Sequence, residues 1–327
     1  MTQQDALLEI KNLCCSFPAS SGSVFAVNGL NLQIQPGEVH ALIGESGCGK
    51  SVTARTILGL ETEHNARVSG EIWFRGQDLL KLSERELRKI RGKDIAMIFQ
   101  DPGSSLSPLM KAGKQIAEAV TNHFDDSGDT LQSKVAGLLS QTGLDPGVAA
   151  LYPFELSGGM QQRLMIAQAI ACSPSLLVAD EATTALDVTI QKQILDLLRS
   201  LQRRLSLSTL FITHNFAVVH EIADRVSVMY AGQIVESAPV AELLANPLHP
   251  YTKGLIACIP RSGTKPLPVI PGFPPRLKQP PHLCPFAPRC PSAIDQCRAT
   301  PPTPMFTTHN HEVRCHHLPW RAPEGLS

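Results

Sequence analysis

Long apolar runs are absent from this chain of 327 residues. No stretch approaches the roughly 18 consecutive apolar residues that a membrane-spanning helix requires. The first residues, MTQQDA, also lack the basic region and the apolar stretch of a secretory signal. We therefore expect the chain to remain in the cytosol and any role at a membrane to depend on a partner.

An excess of charge of either sign is absent too. Lys plus Arg and Asp plus Glu each number 29, so the formal net charge is zero. A balanced chain has no overall attraction to nucleic acid or to anionic lipid, and we expect no nucleic-acid partner. The contents of 43% hydrophobic and 18% charged residues are those of an ordinary globular protein.

Cysteines are present in an odd number, nine, and in a reducing cytosol they are poor candidates for a disulfide framework. Five of them are scattered along the first 260 or so residues. The other four crowd the C-terminal region: Cys284, Cys290, Cys297 and Cys315. This uneven distribution indicates a local role for the last four.

The order of apolar segments predicts an α/β fold. Residues 39–43, 95–99, 176–179 and 209–213 are short apolar runs of strand length, separated by helix-like segments. Such a pattern is typical of a mostly parallel sheet covered on both faces. Two earlier segments, residues 8–17 and 25–34, alternate more strictly and predict an antiparallel edge.

Two other regions depart from this alternation. Residues 107–155 predict a helical insertion, with helices at 116–123 and 131–142. After Pro260 prolines cluster so densely that neither a regular helix nor a central strand is expected. We therefore place a domain boundary within residues 251–260.

Residues 44–51 (GESGCGKS) match the pattern G-x-x-x-x-G-K-[ST], after a predicted strand and before a predicted helix. Glycines allow successive N–H groups to face one anion, and the helix N-terminus adds positive potential. Lys50 would supply a charge to the β and γ phosphates, and Ser51 a hydroxyl to Mg²⁺. The simpler reading is a chance glycine-rich turn.

A second element argues against chance. Residues 176–181 (LLVADE) form a predicted strand that ends in two adjacent carboxylates. In open α/β sheets ligands bind beyond the carboxyl ends of the strands. Asp180 would hold Mg²⁺ there, and Glu181 would orient the attacking water as general base.

Three more polar residues lie at or beyond predicted strand ends: Gln100, Asp187 and His214. Each alone is more often a capping or surface residue than a catalytic one. Together they converge on the sheet edge that carries the phosphate site.

Residues 156–163 (LSGGMQQR) resemble the signature motif of ABC ATPases. A Ser-Gly-Gly turn that opens a helix is another anion-binding terminus, and in that family it serves the ATP of the partner subunit. The resemblance covers about residues 7–250. It implies an ABC-type P-loop ATPase core with a mostly parallel sheet, an antiparallel β edge and a helical subdomain at about 107–173.

The resemblance also assigns roles to individual residues. It implies that Glu181, His214 and Gln100 are catalytic, and that Ser51, Gln100 and Asp180 hold Mg²⁺. Ser157 and Gly159 would bind the partner's ATP. The other residues implied to bind ATP are Phe17 (stacking on adenine, with Phe25 as the less favoured substitute), Gly44, Ser46, Gly47, Cys48, Gly49, Lys50, Val52 and the D-loop residue Asp187.

Two positions depart from the family pattern. Ala182 stands where proline usually follows the Walker B glutamate, and its turn should be slightly softer. Asn215 follows the switch histidine where aspartate is usual, which changes a local charge. Neither change removes a catalytic group.

The C-terminal region narrows the subfamily. Residues 246–252 (NPLHPYT) and the cysteine quartet resemble the dipeptide and oligopeptide importer ATPases, in some of which the quartet holds a [4Fe–4S] cluster. A structural zinc site is the rival, although the usual C-x2–4-C spacing is missing. Five histidines could supplement it: His282, His309, His311, His316 and His317. Free thiols in a loose tail are the third option.

The resemblance implies a nucleotide-binding domain at residues 1–255 and a peptide-importer-type extension with a four-cysteine metal site at 256–327. The expected function is ATP hydrolysis that powers import of di- or oligopeptides. Expected partners are a second, non-identical ABC ATPase, two transmembrane permeases and an extracytoplasmic solute-binding protein. The chain would then lie peripherally at the cytoplasmic face of the inner membrane.

Other functions remain open from the sequence. The same motor could serve nickel, a glutathione-like compound or an opine. A soluble ABC ATPase of translation or DNA repair usually carries two cassettes or a long coiled coil, and neither is found here. A non-hydrolysing regulatory cassette typically loses the residue at Glu181 or His214.

Overall fold

A computed structural model describes residues 6–20, 22–61, 65–184, 186–259, 269–307 and 310–317. Its centre is a mixed sheet, in which β10 (Gln233–Pro239), β11 (Met305–Phe306) and β12 (Glu312–Val313) extend five further strands. The strand order is β11-β12-β10-β9-β3-β8-β7-β6. The five strands from β9 to β6 pair in parallel. These strands are β3 (Val39–Ile43), β6 (Ile95–Ile98), β7 (Leu176–Asp180), β8 (Ser208–Thr213) and β9 (Arg225–Tyr230). Strands β3, β7 and β8 are buried along their whole length, as expected for a parallel sheet covered on both faces.

A second, antiparallel sheet covers one side of the molecule, in the order β2-β1-β4-β5. Its strands are β1 (Leu8–Ala19), β2 (Gly22–Ile34), β4 (Arg67–Phe74) and β5 (Gln77–Asp78). Strands β1 and β2 pair from Leu8 opposite Ile34 to Ala19 opposite Gly22. Their alternating sequence fits a sheet with one face on the core and the other toward solvent.

Helices cover the parallel sheet and fill the segment between β6 and β7. That segment contains α3 (Pro102–Ser105), α4 (Ala112–Thr121), α5 (Gly128–Gln141) and α6 (Gly158–Ala169). The others before the extension are α1 (Lys50–Ile57), α2 (Glu84–Ile90), α7 (Val188–Leu205), α8 (Phe216–Ile222), α9 (Val240–Ala245) and α10 (Pro250–Ala257). None of the helices in the described part of the chain is long and apolar enough to cross a membrane.

The buried apolar side chains form three clusters. One joins the helices around Ile116, Leu139 and Leu164 to one face of the parallel sheet. Another fills the space between the antiparallel sheet, α1 and the other face. The third joins β9, β10 (Gln233–Pro239), α8 and α10 to the C-terminal segment.

The C-terminal segment is built onto the main sheet. Strand β12 (Glu312–Val313) pairs with β10, and β11 (Met305–Phe306) pairs with β12. Between α10 and β11 the described residues form only a short 3₁₀ turn and α11 (Asp295–Ala299). This irregular backbone agrees with the density of prolines in the sequence.

The predicted α/β fold with a parallel sheet and an antiparallel edge is confirmed. The two helices expected in the insertion are longer than predicted, because each begins several residues earlier, at Ala112 and Gly128. The division at residue 255 stays a prediction.

Candidate functional site

The loop between β3 and α1 carries the glycine-rich motif. Gly49 caps α1 with φ of 111°, a backbone conformation that L side chains rarely adopt. A Cβ at this position would also collide with the backbone carbonyl oxygen of Ala26 in β2. Glycine is therefore required both by the turn and by the close approach of a neighbouring strand.

Lys50 lies along the inside of this loop and is 4% exposed. Its Nζ donates hydrogen bonds to the backbone carbonyls of Gly44, at 2.8 Å, and Glu45, at 3.0 Å. These bonds hold the ammonium group against the loop, where an anion bound by the loop N–H groups would meet it.

Ser51 and Asp180 meet at the carboxyl end of β7. The Ser51 hydroxyl donates to the Asp180 carboxylate across 3.0 Å. Burial raises the pKa of Asp180, the Glu181 carboxylate beside it also raises that pKa, and the bond from Ser51 opposes the rise. Two hard oxygen donors thus converge at a place where negative charge is costly, which favours a divalent cation such as Mg²⁺.

Glu181 is the centre of a polar network one residue further on. Its Oε2 accepts from the Gln100 amide at 3.0 Å and from the Thr184 hydroxyl at 3.1 Å. The His214 Nδ1 lies 3.4 Å from its Oε1. Glu181 has a φ of 49°, in the left-handed region that non-glycine residues rarely enter. Three side chains thus contact this carboxylate, and the backbone that carries it has a rarely occupied conformation.

Five of these polar residues line one cleft of about 430 Å³, whereas Asp180 and Gly44 are not part of its described lining. Its lining comprises Ala26, Ser46, Gly47, Gly49, Lys50, Ser51, Val52, Gln100, Glu181 and His214. Ala26 of β2 was missed by sequence analysis, since an alanine in an alternating strand carries no chemical signal. The cleft accordingly lies between the parallel sheet and the antiparallel sheet.

Several predicted site residues lie outside the described lining of this cleft. Ser157 caps α6 by accepting the Met160 N–H at 3.3 Å. Gly159 is the second residue of α6, and a Cβ there would lie 3.0 Å from the Ile190 side chain of α7. Asp187 caps α7 by accepting two backbone N–H groups.

Two further residues that were predicted to contact the nucleotide, one aromatic and one thiol, also lie outside the described lining of the cleft. Phe17 packs, partly buried, against the apolar cluster beneath the antiparallel sheet. Cys48 is buried behind the loop with its Sγ 3.7 Å from Lys50 Nζ. Adenine stacking on Phe17 therefore stays a prediction, and so does a nucleotide contact of Cys48.

The structure also shows the surroundings of Ala182 and Asn215, the two residues that depart from the family pattern. Ala182 is buried at 1% exposure in the turn after Glu181. Asn215 caps α8 by accepting the Ala217 N–H at 2.9 Å, so its amide oxygen performs the capping function of an aspartate.

The four C-terminal cysteines are neighbours. Burial, together with the Cys284, Cys290 and Cys297 thiols, raises the pKa of Cys315 to about 11. The Cys284 N–H donates to the Cys297 carbonyl at 3.1 Å. The side chains are not arranged as ligands, however, because the described residues contain no group of three or more Cys, His, Asp or Glu that could hold a metal ion.

Two of the histidines considered as supplementary ligands, His311 and His316, contact groups other than the cysteines. His311 is buried with its Nε2 2.7 Å from Glu236 and its Nδ1 3.5 Å from Glu242. The His316 Nε2 lies 3.0 Å from the Thr300 carbonyl oxygen. His309 lies outside the described residues.

Comparison with known families agrees with this geometry. A profile described as ABC transporter matches residues 27–184, which include the glycine-rich loop, the signature turn and the paired carboxylates. A second profile, described as the oligopeptide/dipeptide transporter C-terminal region, matches residues 235–297.

Curated relatives match over most of the chain. The dipeptide transport ATP-binding protein DppD of Bacillus subtilis is 45% identical over 317 residues, covering 95% of this chain and 94% of its own length. The oligopeptide transport ATP-binding protein OppD of the same organism is 48% identical, covering 88% of this chain and 82% of its own.

Among solved structures, a dimeric ATP-binding cassette in a post-hydrolysis state with ADP and Pi has a TM-score of 0.65 and 27% identity. That match covers 71% of this chain and 98% of the cassette. The chain belongs to the ABC transporter family and, within it, to the dipeptide and oligopeptide transporter group.

Proposed function

We propose that this chain is the ATP-hydrolysing subunit of a membrane transporter that imports di- or oligopeptides. The observation that carries the proposal is that Lys50, Ser51 and Glu181 line one cleft at the carboxyl edge of a parallel sheet, where the Ser51 hydroxyl donates to the buried Asp180 carboxylate. Relatives named as peptide-transport ATP-binding proteins support the substrate class.

In this proposal the loop and the cation site bind the triphosphate. The loop amides and Lys50 hold the β and γ phosphates. Ser51 and Asp180 fit Mg²⁺, because an alcohol and a carboxylate 3.0 Å apart are oxygen donors of the kind it prefers. Bound there, Mg²⁺ would neutralise charge that develops on the transferred phosphoryl group.

Glu181 would orient the attacking water. Gln100 and Thr184 both donate to one carboxylate oxygen, Oε2, and His214 lies beside the other, Oε1. Such a carboxylate is held in place before substrate arrives, which lowers the cost of organising the reaction. His214 would steady charge on the γ-phosphate, and Gln100 would link the cation site to the transmembrane partner.

The signature turn supports a dimeric assembly. Ser157 and Gly159 present a helix N-terminus that is apart from the cleft of their own chain, so a second ATPase subunit would bring its own nucleotide to it. We propose a non-identical second ATPase, two permeases and an extracytoplasmic binding protein as partners. The chain would then lie at the cytoplasmic face of the membrane.

We further propose that the cysteine quartet holds a metal centre, with a [4Fe–4S] cluster as the first candidate and zinc as the second. Four thiols from one short segment are the ligand set that such a cluster requires. Their mutual influence on the pKa of Cys315 supports their proximity. Since the side chains are not arranged for coordination, ligation would require them to turn toward one another.

One comparison tests the ATPase proposal. Glu181→Gln should bind ATP normally yet lower turnover by about 100- to 10,000-fold in the assembled transporter, because only the general base is lost. Lys50→Ala should instead weaken ATP binding of the full chain, as measured by calorimetry, because no neighbouring cation replaces its charge. Near-normal turnover of Glu181→Gln, or unchanged affinity of Lys50→Ala, would refute the assignment.

A further inference from the structure

Glu45, the second residue of the phosphate-binding loop, is held from three directions. Its backbone carbonyl accepts from Lys50, and its backbone N–H donates to the Tyr251 hydroxyl at 2.9 Å. Its carboxylate forms a two-pronged ion pair with Arg289, whose Nη1 and Nη2 lie 2.7 Å and 2.9 Å from its two oxygens. Two of these three partners lie far beyond the P-loop and Walker B segments, in α10 and in the C-terminal segment.

Arg289 is itself buried and makes further contacts besides its bond to Glu45. Its side chain is only 6% exposed, and its Nε donates to the carbonyl of Pro271 at 2.8 Å. The Tyr230 hydroxyl lies 3.4 Å from Nη1. The Glu45 carboxylate raises the pKa of Arg289, as expected when a cation gains an anionic partner.

An aromatic cluster supports this arrangement. Phe286 packs on Tyr230 and Tyr251, with ring centroids 5.2 Å and 5.3 Å apart. Tyr251 is fully buried, so its hydroxyl cannot leave the loop without disturbing the cluster. The C-terminal segment thereby docks as a packed unit onto the loop that binds phosphate.

The charge of Glu45 gives this contact a functional meaning. A carboxylate on a loop that binds a triphosphate repels the ligand unless a cation neutralises it. A planar guanidinium bound through two parallel hydrogen bonds both neutralises the carboxylate and fixes its direction. Lys50 is restrained by the same residue, so the loop that faces the nucleotide and the C-terminal segment are connected through Glu45.

We propose that Arg289 is a positioning residue for the phosphate-binding loop, so that ATP affinity depends on the docked C-terminal segment. The inference rests on the proposed ATPase function and extends it to a part of the chain in which the sequence shows no nucleotide motif.

The test is a charge-relief experiment on the full chain. Arg289→Gln leaves Glu45 unpaired on the loop and should weaken ATP binding roughly tenfold, the scale of one charge-assisted hydrogen-bond pair. The double variant Arg289→Gln with Glu45→Gln carries no unpaired charge, so its affinity should return to within about threefold of the wild type. Calorimetry with ATP measures all affinities, and thermal melting checks that each variant is folded.

Controls separate this idea from the ATPase proposal. Arg298→Gln removes an exposed arginine of the same segment, which pairs with Asp295 on its own helix, and should bind ATP like the wild type. If Arg289→Gln does not fold, Arg289→Lys keeps the charge without the two-pronged geometry and should bind ATP with intermediate affinity.

Two results would overturn the inference. One is wild-type affinity in a folded Arg289→Gln or Arg289→Lys variant. The other is a double variant as weak as Arg289→Gln, which would mean that the arginine acts by packing alone. Either result, with Lys50→Ala still defective, would leave the ATPase proposal intact. Failure of the wild type itself to bind ATP would instead refute the function.

Discussion

At the scale of single residues, the site contains a buried carboxylate that suits cation binding but lowers the stability of the empty protein at neutral pH. Asp180 is buried at the end of β7, and its raised pKa means that the folded state holds its proton more tightly than the unfolded chain does. Stability from this group is therefore present at low pH and is lost as pH rises through the raised folded-state pKa. At neutral pH the ionised carboxylate is a net cost, which a bound cation would offset.

Asp180→Asn should consequently melt higher than the wild type at pH 7 without nucleotide or Mg²⁺, by a few degrees on the usual scale of such trade-offs. The amide keeps an oxygen that can accept from Ser51, so the local geometry is retained. The gain should shrink as pH falls toward the range in which the carboxylate is protonated. Thermal melting across pH measures this, and a lower melting temperature at pH 7 would contradict it.

Sequence patterns could predict the polar residues of the site but not every backbone conformation or every neighbouring residue. Glycine-rich loops and paired carboxylates carry chemical signatures, so Lys50, Ser51, Asp180 and Glu181 could be assigned to one sheet edge. The left-handed backbone of Glu181 could not be predicted, because residues other than glycine rarely adopt it and a glutamate gives no sequence signal for it. Ala26 was invisible because its contribution is a backbone approach to Gly49 rather than a side-chain function.

At the scale of elements, helix α6 offers its N-terminus away from its own nucleotide cleft. The Ser157 hydroxyl accepts the Met160 N–H, so the turn is fixed without a bound ligand. An ordered and exposed helix terminus of this kind suits a ligand that arrives on another subunit.

Replacing Ser157 with phenylalanine should therefore leave ATP affinity of the full chain unchanged but abolish hydrolysis in the assembled transporter. The bulky ring would block the approach of the partner's nucleotide, whereas the chain's own cleft does not involve this position. Ser157→Ala is the matched control for the lost cap, which is worth roughly 1 kcal/mol. If Ser157→Phe lost ATP affinity in the isolated chain, the helix would belong to the chain's own site.

The elements themselves were predictable wherever periodicity was strong. The apolar runs at residues 39–43 and 209–213 became buried parallel neighbours, β3 and β8, since both faces of such strands are covered. Strands β11 and β12 were not anticipated. Each has two residues, and their pairing is determined by the edge that β10 offers rather than by their own sequence.

At the scale of the whole molecule, the C-terminal segment is attached to the nucleotide-binding core by three kinds of contact. Strand β12 extends the main sheet, Phe286 and Cys297 join a buried cluster with Tyr230, and the buried His311 Nε2 lies 2.7 Å from a carboxylate oxygen of Glu236. Composition alone could not reveal this, because a proline-rich segment gains its order from the surface on which it packs. Residues on the two sides of the predicted boundary at residue 255 are therefore in contact, although the composition of the sequence changes there.

The cysteine quartet lies within this attached segment, and Cys290 directly follows Arg289. Anaerobic purification of the full chain should give a brown protein with about four irons per chain if the quartet holds a [4Fe–4S] cluster. A colourless protein with about one zinc would select the alternative.

In either case Cys290→Ser should release the metal and expose the segment after residue 269 to protease, since the bound metal fixes an irregular backbone. Because the same segment carries Arg289, ATP affinity of this variant should fall as well, by no more than in Arg289→Gln. Cys258→Ser, outside the quartet, is the matched control and should retain both metal and affinity. The absence of both iron and zinc from the anaerobic protein would refute the metal centre and leave the segment's packing and its ion pair to Glu45 as the contacts through which this end of the chain acts on the nucleotide site.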